Sequence, residues 1–233
     1  MPFLSRETAA QTSARDEAVH AIADVRERLG RPPVVLDVGC GDGSSIDQLA
    51  VAGPHEWLGV DIPDSPEARG RRRRDVPMAY FDGCALPLAD QAIDVVYSRQ
   101  VFEHVRHPET LLAEIARVLR PGGFVVGSTS HLEPFHSRSL WNFTPFGFAT
   151  LLEHAGFEKI VVRPGVDAFS LIGRRAFALA RIDVGSRWME RASPLNLALD
   201  LAGRVARLSP ERLSAVKLTF SGHFVFIARR RER

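Results

Sequence analysis

One short stretch, VVLDVGCGDGSS at residues 34–45, constrains the fold more than any other part of the 233-residue chain. Its apolar start, Val34–Val38, has the length and the β-branched content of a buried strand. Three alternating glycines follow at once: Gly39, Gly41 and Gly43. Glycines at such a turn let the backbone approach a ligand closely at the start of the next helix. The stretch therefore predicts a nucleotide-binding turn in an α/β fold.

Strands and helices alternate along most of the chain. The hydrophobic pattern predicts strands over residues 34–38, 57–60, 78–81, 93–98, 124–128, 158–162 and 223–228. It predicts helices over residues 13–29, 44–52, 108–119 and 145–155. Strands that alternate with helices at this spacing form a parallel sheet with helices on both faces. The predicted fold class is therefore α/β.

The interval before the last predicted strand departs from this alternation. Residues 167–222 are rich in Ala, Leu and Arg, and spacing such as that of Phe177, Ala180 and Val184 predicts two or three helices. The interval carries nine Lys or Arg against five Asp or Glu, so it is locally basic. It is either a packing cap or a lid over an acceptor pocket. As a lid, it would suit an acidic or lipid-linked acceptor or a weak interfacial contact with a membrane.

These patterns divide the chain into four predicted segments. They are an N-terminal helical segment (1–30), a cofactor-binding core (31–166), the helical insert (167–222) and a final strand with a basic tail (223–233). Nothing in the sequence decides the oligomeric state, and a homo-oligomer stays open.

The overall composition argues against several classes of protein. A formal net charge of +2 is too weak a field to indicate a nucleic-acid partner. Two distant cysteines, Cys40 and Cys84, encode neither a disulfide framework nor a zinc motif, so we expect a cytoplasmic protein. No uncharged apolar run reaches the ~18 residues of a spanning helix, and the first residues lack the apolar core of a signal peptide.

Acids in the glycine turn decide between candidate ligands. A dinucleotide fingerprint reads G-x-G-x-x-G, whereas this turn reads G-x-G-x-G with Ser44 in place of the third glycine. A pyrophosphate beside Asp37 and Asp42 would meet like charge in a partly dry site. S-adenosylmethionine (SAM) has an adenosine, a sulfonium, an ammonium group and no phosphate. The acids therefore favour SAM over NAD, and argue against an NAD-dependent oxidoreductase.

Three acids at the ends of three successive predicted strands would complete an adenosine site. Asp37 is placed to sense the amino-acid portion of SAM, and Asp61 to accept both ribose hydroxyls. Asp82 is placed to accept from the adenine amino group, while the N–H of Gly83 or Cys84 meets the ring nitrogens. The carboxyl ends of neighbouring strands are where open α/β sheets bind ligands.

Three stretches together resemble a known family: VVLDVGCGDGSS, GVDIPDS and FDGCALPLADQAIDVVYSRQVFEHVRHPETLLAEIARVLRPGGFVV. They look like the class I SAM-dependent methyltransferases, in the small-molecule, methyltransferase-11-like branch. The likeness is strong over residues 33 to about 128 and loose over 141–163. It implies a Rossmann-like, seven-stranded mixed sheet whose last strand is antiparallel and lies beside the fifth.

The same resemblance implies which residues hold the cofactor. This predicted set is Asp37, Gly39, Cys40, Gly41, Gly43, Asp61, Ile62, Asp82, Gly83, Cys84, Ser98 and Arg99. Ser98, Arg99 and Gln100 would line the methionine side. Cys40 is interpreted as a small packing residue rather than a nucleophile, and no metal ligand is predicted.

The acceptor is expected against residues 130–148, which follow the fifth predicted strand and concentrate histidines and aromatic residues. His136 and His104 are the predicted catalytic residues, with His131 behind them, because histidine is the usual base near neutral pH. Glu103 beside His104 has either an orienting or an acceptor-contacting role. Relatives from polysaccharide and natural-product pathways have an arginine where Asn142 stands, so any contact of that arginine is in doubt.

The predicted function is methyl transfer from SAM to a small molecule, with S-adenosyl-L-homocysteine as the second product. A hydroxyl oxygen of a sugar, a glycolipid or a natural product is the favoured acceptor. An N-methyltransferase of a small metabolite and a non-catalytic SAM-binding protein are the alternatives. A nucleic-acid methyltransferase is disfavoured, because YSRQ at residues 97–100 replaces the Asn/Asp-Pro-Pro-aromatic stretch of amino-methylating DNA enzymes, and no Pro-Cys nucleophile occurs.

Overall fold

A single seven-stranded sheet organises the molecule. The computed structural model describes residues 3–4, 10–71, 75–181 and 193–232. Within them lie the strands β1 (Val34–Val38), β2 (Glu56–Asp61), β3 (Met78–Tyr80), β4 (Ile93–Arg99), β5 (Leu119–Ser130), β6 (Phe157–Pro164) and β7 (His223–Arg230). Their order in the sheet is β3-β2-β1-β4-β5-β7-β6. The predicted Rossmann-like α/β class is confirmed.

Strand direction decides where the functional groups meet. The pairs β1–β2, β2–β3, β1–β4 and β4–β5 are all parallel, so the carboxyl ends of the first five strands lie along one edge. β7 runs antiparallel between β5 and β6, as the family resemblance implied. Asp37 on β1 lies level with Gly59 on β2 and Tyr97 on β4.

The helices begin and end where the sequence provides caps. They are α1 (Ala14–Leu29), α2 (Ser45–Leu49), α3 (Pro66–Arg69), α4 (Pro108–Val118), α5 (Pro145–His154), α6 (Ala168–Leu179), α7 (Pro194–Val205) and α8 (Pro210–Thr219), with single 3-10 turns at Ala50–Ala52 and Phe102–His104. Ser13 caps α1 by accepting from the N–H of Asp16 at 3.2 Å, and Gly30 ends it at φ +64°. α4, α5, α7 and α8 each begin at a proline, which suits the first turn.

The core lies on both faces of the sheet. Successive residues of a strand point to opposite faces, so Val35 and Leu36 belong to different apolar clusters. The cluster around Leu36 includes Phe102, which meets Phe148 and Phe226 edge to face, while the rings of Phe148 and Phe226 are tilted against each other. The cluster around Val35 is covered by α1. The carboxyl edge is therefore supported from two sides, which fixes the side chains that line it.

One predicted boundary was wrong. The fifth strand was predicted to begin at residue 124, but α4 ends at Val118 and β5 begins directly at Leu119. Leu119 pairs with Ile93 ahead of an irregularity in the β4–β5 ladder. Strand pairing therefore begins before Pro121-Gly122-Gly123, which lies inside β5.

The helical insert before the last strand is confirmed. Its described part contains α6, α7 and α8, and its two ends meet at an isolated bridge between Asp167 and Ser221. Residues 182–192, which include the predicted helical position Val184, lie outside the described residues. In the part of the chain that the structure describes, no helix has the length and apolarity needed to cross a membrane. The fourfold division of the chain stays a prediction.

Candidate active site

The glycine turn after β1 brings two strand ends together. The N–H groups of Gly39 and Cys40 both donate to the carbonyl of Val60, at 2.8 and 3.1 Å. Gly39 has φ +72°, and a Cβ there would lie 2.4 Å from Val101 Cγ2. Only glycine combines this backbone conformation with this approach. The turn therefore joins β1, β2 and the segment after β4 in one cradle.

Asp61, at the end of β2, is held by this turn. Its carboxylate accepts from the N–H of Gly41 at 2.7 Å and from the N–H of Ile62 at 2.7 Å. The side chain is buried, and burial raises the pKa of this carboxyl despite the two donors. Backbone donors thus fix the orientation that the predicted ribose contact requires.

Asp37, at the end of β1, is more deeply buried. The hydroxyl of Ser45 donates to it, and Trp57 Nε1 donates to that hydroxyl at 3.2 Å. Burial raises the pKa of Asp37 to about 7, with Asp61 contributing in the same direction. Two buried acids that repel each other are stabilised by a cationic ligand and destabilised by a phosphate. The residues present therefore fit SAM.

Asp82 lies after β3 and differs from the other two acids. It is exposed and accepts from the N–H groups of Ala85 at 2.7 Å and Cys84 at 2.8 Å, which lower the pKa of its carboxyl. The Cys84 N–H, one of the two groups expected near the ring nitrogens, donates to Asp82 here, and the contact with the adenine stays a prediction. Gly83, whose Cβ position would lie 3.7 Å from Ile62 Cγ2, stays beside the predicted site.

The remaining predicted cofactor residues divide into two kinds. Arg99 is exposed and acts electrostatically on Asp37 across the β1–β4 pair. Ser98, the adjacent residue on β4, is fully buried, and its Oγ has no hydrogen-bond partner among the described residues. Alternation along the strand turns the Ser98 side chain into the core, and the place of Ser98 on the methionine side of the cofactor stays a prediction.

Cys40 and Gly43 serve the packing of the turn. Burial raises the pKa of the Cys40 thiol to about 12, and its Sγ lies against Gly59 of β2. A thiol so reluctant to ionise is no nucleophile, which agrees with the interpretation of Cys40 as a packing residue. Gly43 donates to the Cys40 carbonyl at 2.9 Å and packs towards Val76.

A second group of polar side chains lies past the ends of β4 and β5. Glu103 is fully buried, and His136 Nε2 lies 3.9 Å from its Oε1. Thr129 Oγ1 donates to Glu103 Oε2 at 3.1 Å, and Ser130 Oγ lies 3.4 Å from Oε1. Burial raises the pKa of Glu103 to about 7. The two predicted catalytic histidines meet here, since the ring centroids of His104 and His136 lie 5.3 Å apart.

The second carboxylate of this group is Glu133. Its Oε1 lies 3.7 Å from His136 Nδ1, and its Oε2 accepts from Ser130 Oγ at 2.9 Å. With its amide nitrogen turned to the acids, Gln100 donates to Glu103 Oε1 at 2.7 Å and to Glu133 Oε2 at 3.0 Å. Glu103, Glu133, His104 and His136 are called the acceptor-side cluster below.

His131 does not belong to this cluster. Its Nδ1 lies 2.9 Å from the carbonyl of Phe143, and burial lowers the pKa of its imidazole. It serves to fix the loop before α5. Asn142 donates to the Glu133 carbonyl at 3.2 Å, so it too holds the loop.

An open cavity of about 540 Å³ lies at the start of α4, beside the loop that follows β5. Its lining comprises Arg106, His107, Pro108, Glu109, Trp141 and Phe143. The indole of Trp141 donates to the Val105 carbonyl at 2.8 Å, while its main-chain N–H donates to the Glu103 carbonyl at 3.2 Å. The exposed ring is thereby held against the backbone of the segment that carries Glu103.

Sequence reasoning missed three contributors. Thr129 and Ser130 end β5 as hydroxyl residues after an apolar run, and this change in chemistry was the available signal. Arg71 follows α3, and its Nε donates to the Gly41 carbonyl at 2.8 Å. The arginines that follow it, residues 72–74, lie outside the described residues.

Comparisons with known proteins show which proteins this chain is similar to. A family model described as a methyltransferase domain matches residues 36–127. A relative from Mycolicibacterium smegmatis, described as a "probable S-adenosylmethionine-dependent methyltransferase", is 35% identical over 53% of this chain and 51% of its own length. The malonyl-[acyl-carrier protein] O-methyltransferase of Methylococcus capsulatus is 30% identical over 79% of this chain and 66% of its own length.

Solved structures show the same fold. The phosphoethanolamine N-methyltransferase 2 of Haemonchus contortus, in complex with S-adenosyl-L-methionine, superposes with a TM-score of 0.56 at 18% identity, over 94% of this chain and 60% of that one. With the glycine turn and its acids, these likenesses place the chain in the class I SAM-dependent methyltransferases, a family whose cofactor is SAM. The chain spans about half to two thirds of the length of the two curated relatives named above.

Proposed function

We propose that this chain transfers a methyl group to a hydroxyl oxygen of a small molecule. The observation that carries the proposal is the pairing of two sites along one sheet edge. Buried acids at the ends of β1 and β2 suit a cationic cofactor, and the acceptor-side cluster past β4 and β5 offers groups that can take up a proton.

The cofactor site is proposed to hold SAM through Asp37 and Asp61. Asp61 accepts from the ribose hydroxyls, and Asp37 balances the positive charge of the amino-acid portion. Bound there, SAM supplies an activated methyl group. Gly39 and Gly41 keep the backbone close enough for contact, while Asp82 stays available at the adenine end. These residues bind and orient SAM, and none of them is needed as a catalytic base.

The acceptor-side cluster is proposed to receive the hydroxyl proton. Burial lowers the pKa of His104, which keeps this imidazole neutral near pH 7. His136 Nε2 takes the proton, and Glu103 at 3.9 Å stabilises the imidazolium that forms. Glu133, 3.7 Å from His136 Nδ1, orients the ring from the other side. A base of this kind is expected to contribute about 10²- to 10⁴-fold to the rate.

A sugar, a glycolipid or a hydroxylated natural product is the acceptor class we favour. The half-exposed Trp141 offers a flat face for a sugar or aromatic ring beside a cavity of about 540 Å³. Arg106 and Glu109 at the rim offer polar contacts. The two free cysteines suit the cytoplasm, where we place the reaction.

The test is a comparison of acceptor panels with purified protein. SAM affinity is measured first, by calorimetry, against NAD as the competing cofactor. Matched hydroxyl and amine acceptors are then incubated with SAM, and products are read by mass as a gain of one methyl group. Transfer to hydroxyls supports the proposal, and transfer to amines alone would replace it by an N-methyltransferase. SAM binding without transfer to either panel would indicate a non-catalytic protein.

A further inference from the structure

Three side chains of the acceptor-side cluster have the composition of a metal site. Glu103, His104 and His136 each direct one ligand atom into a common space, and these atoms all lie within 4.8 Å of one another. Ligands around one tetrahedral Zn²⁺, at about 2.0–2.2 Å, lie roughly 3.3–3.5 Å apart. His136 Nε2 and Glu103 Oε1, at 3.9 Å, approach this spacing. A small rotation of the imidazoles would complete it.

The two imidazoles are placed as metal-binding histidines are, each with a ring nitrogen left without a hydrogen bond to the described residues. His104 Nδ1 is buried and has no hydrogen-bond partner among the described residues. His136 Nδ1 lies 3.3 Å from the Pro134 carbonyl and 3.7 Å from Glu133 Oε1, which fixes a proton on Nδ1 and leaves Nε2 as the free lone pair. Metal-binding histidines are held by a carbonyl or a carboxylate in this way.

The carboxylate is oriented in the same manner. Thr129 Oγ1 donates to Glu103 Oε2 at 3.1 Å, and Gln100 donates to Oε1, the oxygen that faces His136. Glu103 is fully buried, and a buried carboxylate is stabilised by a cation in contact with it. Two imidazoles and one carboxylate suit Zn²⁺ and its first-row neighbours rather than Mg²⁺ or Ca²⁺.

We propose that Glu103, His104 and His136 bind one divalent transition-metal ion, with Zn²⁺ as the representative. Three protein ligands leave a position open towards the acceptor. The ion occupies the same lone pair of His136 that takes the proton in the proposed reaction. Metal and proton therefore exclude each other, and the bound ion lowers turnover. This last effect rests on the proposed function, whereas metal binding does not.

The test measures zinc binding to the metal-stripped full-length protein by calorimetry and by metal content after dialysis. We expect one ion per chain, and an affinity at least tenfold weaker in His104→Gln and in His136→Gln. His20→Gln, an exposed change on α1, serves as the matched control and should bind as tightly as the unaltered chain. Circular dichroism and SAM affinity verify that each variant is folded. Co²⁺ in place of Zn²⁺ should give visible d–d absorption that disappears in the two site variants.

The outcomes separate the two proposals. Absence of zinc binding, or binding undiminished in His104→Gln, would overturn the metal site whatever the chain methylates. If zinc binds as expected but the stripped protein, with SAM bound, transfers no methyl group, the proposed function fails and the metal site stands. If the stripped protein is active, zinc should inhibit it and a chelator should restore it, while His104→Gln should be less sensitive to zinc.

Discussion

The cofactor side and the acceptor side of the sheet edge are ordered by different means. On the cofactor side, backbone N–H groups of Gly41 and Ile62 hold Asp61 within a short stretch of chain. On the acceptor side, Glu103 is held by side chains from β5 and from the loop after it. Backbone donors tolerate sequence change, whereas side-chain networks do not. The same sheet edge therefore combines a cofactor site that tolerates sequence change with an acceptor site that is sensitive to it.

The largest expected effect tests the acceptor side alone. In His136→Gln we expect turnover to fall by about 100-fold or more, since the base is lost, while SAM affinity changes by less than about twofold. Single-turnover product formation and calorimetry measure the two quantities. His131→Gln, which alters a histidine bonded to the Phe143 carbonyl, should cost much less turnover. Unchanged turnover in both His136→Gln and His104→Gln would remove the histidine base from the mechanism.

The next effect tests the cofactor side. Asp61→Ala removes a buried acceptor and leaves the N–H groups of Gly41 and Ile62 unpaired, so SAM affinity should weaken by about 10- to 100-fold. Asp64→Ala, an exposed acid on the same loop that pairs with Arg138, is the control and should bind normally. Equal affinities in a calorimetric titration of the two variants would contradict the ribose contact.

A pH series tests the cofactor side through the titration of Asp37. Burial raises the pKa of Asp37 to about 7, and a cationic ligand requires the ionised form. SAM should therefore bind about tenfold more tightly at pH 8 than at pH 6, with the dependence lost in Asp37→Asn. In the free chain the folded state binds the extra proton between about pH 4 and 7, so this group's contribution to stability falls as the pH rises through that window. A flat affinity profile in the unaltered chain would exclude this role of Asp37.

The smallest expected effect concerns the support of Glu103. Thr129→Val keeps the shape of the side chain but removes the 3.1 Å hydrogen bond to Oε2. We expect a loss of about 1 kcal/mol in the free energy of unfolding, seen as a fall of roughly 2–4 °C in Tm. SAM affinity should be unaltered, because the change lies on the acceptor side. A loss of SAM affinity equal to that of turnover would show that the two sides are coupled.

Local sequence was enough to predict where the strands of the cofactor side end, whereas the contacts with the cofactor stay predictions. Asp37, the three glycines and Asp61 lie at strand ends, and each strand's position followed from its apolar run. It was harder to predict which side chains of a strand are buried. Ser98 is buried and the neighbouring Arg99 is exposed, and this difference depends on which face of the sheet the following turn covers. The Cys84 N–H donates to Asp82 within a local turn, and this hydrogen bond competes with a hydrogen bond to a ligand. Residue propensities do not say which of these two hydrogen bonds forms.

The acceptor side could be predicted only as a list of residue types. His104 and His136 were expected as candidates, but their meeting with Glu103 depends on the path of the loop after β5. That path is fixed by contacts over long sequence separations, such as the hydrogen bond from the Trp141 indole to the Val105 carbonyl. A single sequence carries no pairwise signal for such contacts. The triad of potential metal ligands was missed for the same reason.

The bridge between Asp167 and Ser221 has a consequence for how such a protein changes its substrate. Both ends of the helical insert leave the sheet at one point, and β7 returns from there to pair with Ser130 at the end of β5. The last helix of the insert, α8, packs into the core through Leu218, whereas α6 and α7 expose large apolar side chains such as Phe169 and Leu201. If the insert is the predicted lid, changes in α6 and α7 could therefore alter the acceptor while Asp37 and Asp61, on strands at the other side of the sheet, keep their places.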